Sequence, residues 1–118
     1  MIPIPTARVV VVDDHPDVLE AAAAILGRKY DVVGTATTGS GAVELSLRLD
    51  PDVIVLDIAM PGLDGFQAAA QIRKAGSNAR IVFLSNYAGE EYVLASISQG
   101  ASAFVAKAKL RRSPFTLY

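Results

Sequence analysis

Apolar residues fall along this chain in two alternating kinds of run. Arg8 to Asp13 contains four consecutive valines and closes on an acid, the pattern of a parallel strand covered on both faces. Asp31 to Thr37, Val53 to Asp57, Arg80 to Ser85 and Ser102 to Lys107 repeat it, each short and most of them rich in Val or Ile. The second is the weakest of the five because Gly34 interrupts it. Between these runs the apolar positions take helical spacing: Val18, Ala22, Ile25 and Leu26; Ala42, Leu45 and Leu49; Phe66, Ala69, Ala70 and Ile72; and Val93, Leu94 and Ile97. Punctuation agrees with four helices. Asp14-His15-Pro16 precedes the first and Gly27 lies near its end. Asp50-Pro51 follows the second, Asp64 precedes the third, and Gly76 and Gly100 follow the third and fourth. Strands separated by helical crossovers pair in parallel with right-handed connections, so the pattern predicts an open, doubly wound α/β domain with helices on both faces of a five-stranded sheet.

With 118 residues, 52% of them hydrophobic, and a mean hydropathy of +0.37, the chain has the size and apolar content of a single folded domain over residues 1–118. The formal net charge is −1, so no overall field directs it to nucleic acid or to an anionic membrane. The charge is distributed unevenly: residues 1–59 carry nine acids and four bases, residues 60–118 three acids and seven bases. There is no cysteine, which excludes a disulfide framework, a thiolate metal site and a cysteine nucleophile. Met1-Ile2-Pro3-Ile4-Pro5 lacks the basic start and long apolar run of a signal peptide, and no apolar stretch is long enough to span a bilayer. A cytoplasmic location without membrane contact is expected.

In open parallel sheets, ligands gather beyond the carboxyl ends of the strands. Four such ends carry reactive groups here: Asp13-Asp14 after the first strand, Asp57 on the third, Ser85 on the fourth and Lys107 on the fifth. Three carboxylates drawn together repel one another unless a proton or a positive charge intervenes. A hard divalent cation meets that need. Mg²⁺ takes oxygen ligands, whereas one His and no Cys argue against zinc. A metal and an ammonium flanking a carboxylate also suit phosphoryl transfer, with Asp57 as the nucleophile. Taken singly, each residue has a plainer use: Asp14 and Asp64 as helix caps, Lys107 as a surface cation, Ser85 as a loop hydroxyl. Their joint placement at neighbouring strand ends favours chemistry.

The segments Val9-Val10-Val11-Val12-Asp13-Asp14-His15-Pro16 and Asp57-Ile58-Ala59-Met60-Pro61-Gly62-Leu63-Asp64-Gly65, followed by Ser85 and Lys107, resemble the receiver domain of two-component response regulators. The start of the chain and the segment around Ser85 most resemble the subfamily that usually precedes a helix-turn-helix DNA-binding domain. The resemblance runs from about residue 7 to residue 108. It implies a flavodoxin-like sheet of order 2-1-3-4-5 and a switch that takes phosphate from a sensor histidine kinase or phosphotransfer protein. It also implies Asp57 as phosphate acceptor, with Mg²⁺ held by Asp13, Asp14, Asp57 and the carbonyl of Ala59. By the same resemblance Ser85 is expected to bind a phosphoryl oxygen, Lys107 to pair with the acids, and Phe104 to take the place of the aromatic switch residue, often Tyr. Such a domain acts on itself and is a signalling module rather than a turnover enzyme. DNA contact is expected only through an output domain that this chain does not contain.

Three positions depart from the pattern. Asn86 stands where a small residue is usual, which bears on phosphorylation and hydrolysis rates. Ala108 replaces the frequent proline, so no cis peptide is expected there. After Lys107, residues 108–118 form an atypical or truncated C-terminal segment, too short for a full fifth helix, so that helix is expected to be short or missing. If the protein ends at Tyr118, Phe115, Leu117 and Tyr118 or a second copy must cover the apolar face left behind, and self-association as a homodimer is expected. If the chain is cut from a longer regulator, the helix continues from Pro114. His15 adjoins the acids, but neutral imidazole is a weak Mg²⁺ ligand and the resemblance places a variable residue there, so no role is expected of it. Thr37, Thr38, Gly39, Ser40 and Gly41 lack the Gly-Lys-Ser/Thr of a phosphate loop and read as a turn and helix cap. The basic stretch from Lys107 to Arg112 reads as a solvated end, and Tyr87 and Tyr92 as surface or partner face. Two rival functions are an aspartyl-phosphate hydrolase, disfavoured because Ala59 stands where its second Asp is needed, and a receiver-like interaction module that is never phosphorylated.

Overall fold

The computed structural model describes residues 6–85 and the backbone of 103–106. The expected fourth helix, Asn86, Lys107, Ala108 and the segment 108–118 lie outside the described residues, as does the side chain of Phe104. Within them the order is β1 (Arg8–Val12), α1 (Pro16–Leu26), β2 (Asp31–Ala36), α2 (Gly39–Leu49), β3 (Val53–Asp57), α3 (Gly65–Lys74), β4 (Arg80–Ser85) and β5 (Ala103–Ala106). All five strands are parallel and stand in the order β2-β1-β3-β4-β5, the topology implied by the resemblance. Asp13 and Thr37 fall just outside the strands assigned to them, each one residue past a strand end.

Period-two alternation divides the strand residues between two cores. Val10, Val12, Ile54, Leu56, Ile81 and Phe83 face α2 and α3, where they meet Ala42, Ala68, Ala69 and Ile72. Val9, Val11, Val55 and Leu84 face α1 through Ala22, Leu19 and Leu26. Small residues on the helices let them lie close to the sheet, and Phe66 of α3 meets Phe83 edge-on with ring centroids 4.9 Å apart. Ala70, expected on the buried face of α3, is exposed; Ala68 takes its place, since positions 65, 68, 69 and 72 form the inward stripe.

The weak sequence signal of β2 has a structural cause. Its register against β1 jumps between Val9 and Val10, so Val9 opposes Val32 but Val10 opposes Gly34. A Cβ on Gly34 would come within 3.0 Å of Leu49 Cδ1 and 3.5 Å of Leu45 Cδ1, so the glycine admits the leucines of α2.

Helix ends follow local chemistry. Thr38 caps α2 by accepting from Gly41 N at 2.9 Å, in agreement with the turn-and-cap reading of 37–41. Asp64 and Gln67 form a reciprocal capping box on α3. Asp14 does not cap α1; the N-cap position belongs to His15, whose side chain makes no capping bond, and Pro16 opens the helix. The Arg8 guanidinium donates to the carbonyls of Leu49 (2.7 Å) and Asp50 (3.0 Å), tying β1 to the end of α2.

One buried group opposes this packing. The Ser46 hydroxyl on α2 is buried and has no hydrogen-bond partner among the described residues. Ser46→Ala should therefore raise unfolding stability by about 1 kcal/mol, since an unsatisfied buried hydroxyl costs about 1–3 kcal/mol and Ala is the better helix former. Denaturant titration reads this as a higher midpoint at unchanged slope; a lower midpoint would mean the hydroxyl has a stabilising partner.

Candidate metal and phosphoryl-transfer site

Strand register brings the acids together. β1 and β3 are central neighbours, paired from Val9↔Val53 to Val12↔Leu56, so the residues that follow, Asp13 and Asp57, emerge side by side at the same sheet edge. Asp13 N donates to Ala36 O (3.2 Å) and Ile58 N donates to Leu84 O (3.2 Å), which holds both strand ends in line with their neighbours. Asp57 opposes Leu84, and Ser85 is the next residue along β4. Asp13, Asp57 and Ser85 are all buried, while Asp14 is half-buried at the rim. Asp13 and Asp57 are 0% and 2% exposed, so two carboxylates are buried close together, an arrangement that calls for a compensating positive charge.

Oxygen atoms of Asp13, Asp14 and Asp57 and a ring nitrogen of His15 all lie within 4.8 Å of one another. Ligands around one octahedral Mg²⁺ stand about 3 Å apart when adjacent and about 4.2 Å apart when opposite, so the three carboxylates suit a single hard cation. Ala59, two residues beyond Asp57, is exposed.

Two glycines fix the loop that carries Ala59. Gly65, at the start of α3, donates its N–H to Ile58 O (2.8 Å). A Cβ there would collide with the Asp57 carbonyl oxygen and approach Ile58 Cα to 2.7 Å. Gly39, at the start of α2, lies so close to Leu63 that a Cβ would strike its carbonyl oxygen. The loop between β3 and α3 is thus held between two helix starts that only glycine allows. Neither close approach was anticipated from the sequence; the available signal was a glycine at the first position of two successive helices.

His15, for which the sequence suggests no role, lies against the acids. Its backbone N–H donates to Asp13 Oδ1 (2.9 Å), and its Nδ1 stands 3.3 Å from Asp13 Oδ1 and 3.1 Å from Asp14 Oδ1. Of the residues expected at the site, Asp13, Asp14, Asp57 and Ser85 converge, whereas Lys107 and the Phe104 ring lie outside the described residues. The backbone of Phe104 is in β5, opposite Phe83.

Residues 9–113 match the family described as response regulator receiver domain. The transcriptional regulatory protein LiaR of Bacillus subtilis is 37% identical over 102 residues, which cover 85% of this chain and 48% of LiaR. The chain likewise spans about half the length of NarL-type regulators that it matches. Among solved structures, the signal receiver domain of the response regulator NarL from Mycobacterium tuberculosis superposes with a TM-score of 0.79 at 39% identity, covering 88% of this chain and 86% of that one. A CheX–CheY–BeF₃–Mg²⁺ complex from Borrelia burgdorferi gives 0.76 at 26% identity over 90% of this chain and 84% of that one. No helix among the described residues is long and apolar enough to cross a membrane. Fold, acid group and relatives converge on one assignment: the chain belongs to the response regulator receiver domain family, the phosphate-accepting switches of two-component signalling.

Proposed function

We propose that residues 1–118 act as one receiver unit in which Asp57 takes a phosphoryl group from a phosphohistidine of a sensor kinase or phosphotransfer protein. The observation that carries this reading is the buried convergence of Asp13 and Asp57 with Asp14 and Ser85 at one sheet edge. Asp13, Asp14, Asp57 and the Ala59 carbonyl would hold Mg²⁺, which would supply positive charge against the carboxylates and the phosphoryl oxygens. An Asp57 carboxylate oxygen attacks phosphorus in line as the phosphorus–nitrogen bond of the donor breaks. The electron pair returns to the donor imidazole, and the new acyl phosphate stays on the protein. The Ser85 hydroxyl donates to a phosphoryl oxygen and Lys107 pairs with the added charge. Ser85 moving toward the phosphate leaves room for the Phe104 ring, which carries the signal to the surface near β5.

The phosphoryl group ends on the protein itself, so this is a switch rather than a turnover enzyme, and its setting is cytoplasmic. A relative of the same fold solved in a complex with BeF₃ and Mg²⁺ supports a metal-dependent phosphoryl site here. No observation among the described residues favours a module that is never phosphorylated. Relatives that are transcriptional regulators support an output domain beyond this unit as the route to DNA. Beryllofluoride, a mimic of the acyl phosphate, tests the reading: it should bind saturably only with Mg²⁺ present and shift amide resonances around Asp57 and Ser85. Binding that ignores Mg²⁺, or no binding, would overturn it.

A further inference from the structure

We propose that His15 is a nitrogen ligand of the carboxylate site and biases it toward divalent transition metals that accept imidazole, Co²⁺ among them, relative to Mg²⁺. This rests on the metal-site reading above. His15 occupies the N-cap of α1 with an extended backbone (φ −97, ψ 111) yet performs no capping, a task for which Ser, Thr, Asp or Asn is better suited. Its backbone is nonetheless held firmly: its N–H donates to Asp13 Oδ1 and its carbonyl accepts from Leu19 N at 2.9 Å. That anchoring directs the ring over the acids. Nδ1 stands 3.3 Å from Asp13 Oδ1 and 3.1 Å from Asp14 Oδ1, close to the spacing of about 3 Å between adjacent ligands of one six-coordinate ion. It also belongs, with Asp57, to the group of ligand atoms lying within 4.8 Å of one another.

Proton bookkeeping is simple because the ring is 61% exposed and its far side reaches water. Without metal, the tautomer that carries hydrogen on Nδ1 donates to Asp13 Oδ1. On coordination the Nδ1 lone pair binds the ion, solvent removes the Nδ1 proton and another enters at Nε2. Mg²⁺ gains little from the nitrogen, whereas Co²⁺ readily takes an imidazole beside carboxylates. An added nitrogen donor therefore changes selectivity more than it changes Mg²⁺ binding.

The test is calorimetric titration of the tag-free chain with CoCl₂ and with MgCl₂, using wild type, His15→Ala, His15→Gln and Asp13→Asn. Both His15 variants should lose about tenfold or more in Co²⁺ affinity, the scale of losing a supporting group at a metal site, with Mg²⁺ affinity held within about threefold. X-ray absorption of the Co²⁺ form should show imidazole scattering in wild type and none in His15→Gln. Equal changes for both metals, unchanged Co²⁺ affinity, or absent imidazole scattering would overturn the role of His15. Asp13→Asn separates the two readings: it should weaken both metals, and if it weakens neither, the carboxylate site itself is wrong.

Discussion

Asp14→Ala should weaken Mg²⁺ binding by about tenfold or more while leaving the metal-free domain folded. The carboxylate lies half-buried at the rim, and its paired neighbour is the exposed His15 ring, so its removal empties no core. It takes away a donor and one of the three negative charges that offset dehydration of the cation. The remaining carboxylates repel each other less, so stability without metal should hold or rise. Since a ligand stabilises in proportion to the logarithm of its concentration over its dissociation constant, a tenfold weaker site forfeits about 1.4 kcal/mol of Mg²⁺-induced stabilisation at saturating metal. Thermal denaturation with and without MgCl₂ reads both effects. An unchanged Mg²⁺-dependent shift would place the metal elsewhere.

The larger structural effect is expected at Gly65. Here the added methyl meets backbone, the Asp57 carbonyl oxygen and Ile58 Cα at 2.7 Å, and no side chain can turn aside to admit it. Gly65→Ala must push the start of α3 away from the end of β3, which strains the Gly65 N–H bond to Ile58 O and the loop through Ala59. We expect a loss of about 3 kcal/mol, the upper range for overpacking, together with weaker Mg²⁺ binding because the Ala59 carbonyl moves. Chemical denaturation checks the first. Near-wild-type stability would mean the two elements separate more easily than their packing implies.

Much of this was legible in the sequence because each rule acted on a long or repeated signal. Val9 to Val12, Val53 to Leu56 and Ile81 to Leu84 are covered on both faces and show as unbroken apolar runs. The strand-end rule then led directly to Asp13, Asp57 and Ser85. β2 was faint because its bulge breaks the alternation and Gly34 serves the leucines of α2 rather than the strand. Ala70 was misplaced for a related reason: in an alanine run, composition cannot select the inward face, which packing against Phe83 and its neighbours decides. Gly39 and Gly65 looked like ordinary helix starts, since close approach to a loop is a tertiary fact without local signature. His15 was judged by its affinity for Mg²⁺, whereas its place among the acids follows from the hydrogen bond that Asp13 accepts from its backbone.

The central claim is that Asp57 alone receives the phosphoryl group. Intact-mass measurement after incubation with acetyl phosphate and MgCl₂ tests it most directly, in wild type and in Asp57→Asn, a variant that keeps the side-chain shape but not the nucleophilic carboxylate. The account predicts one phosphoryl group added to the wild-type chain, dependent on Mg²⁺, and none in Asp57→Asn; a phosphoryl group retained by that variant would contradict it.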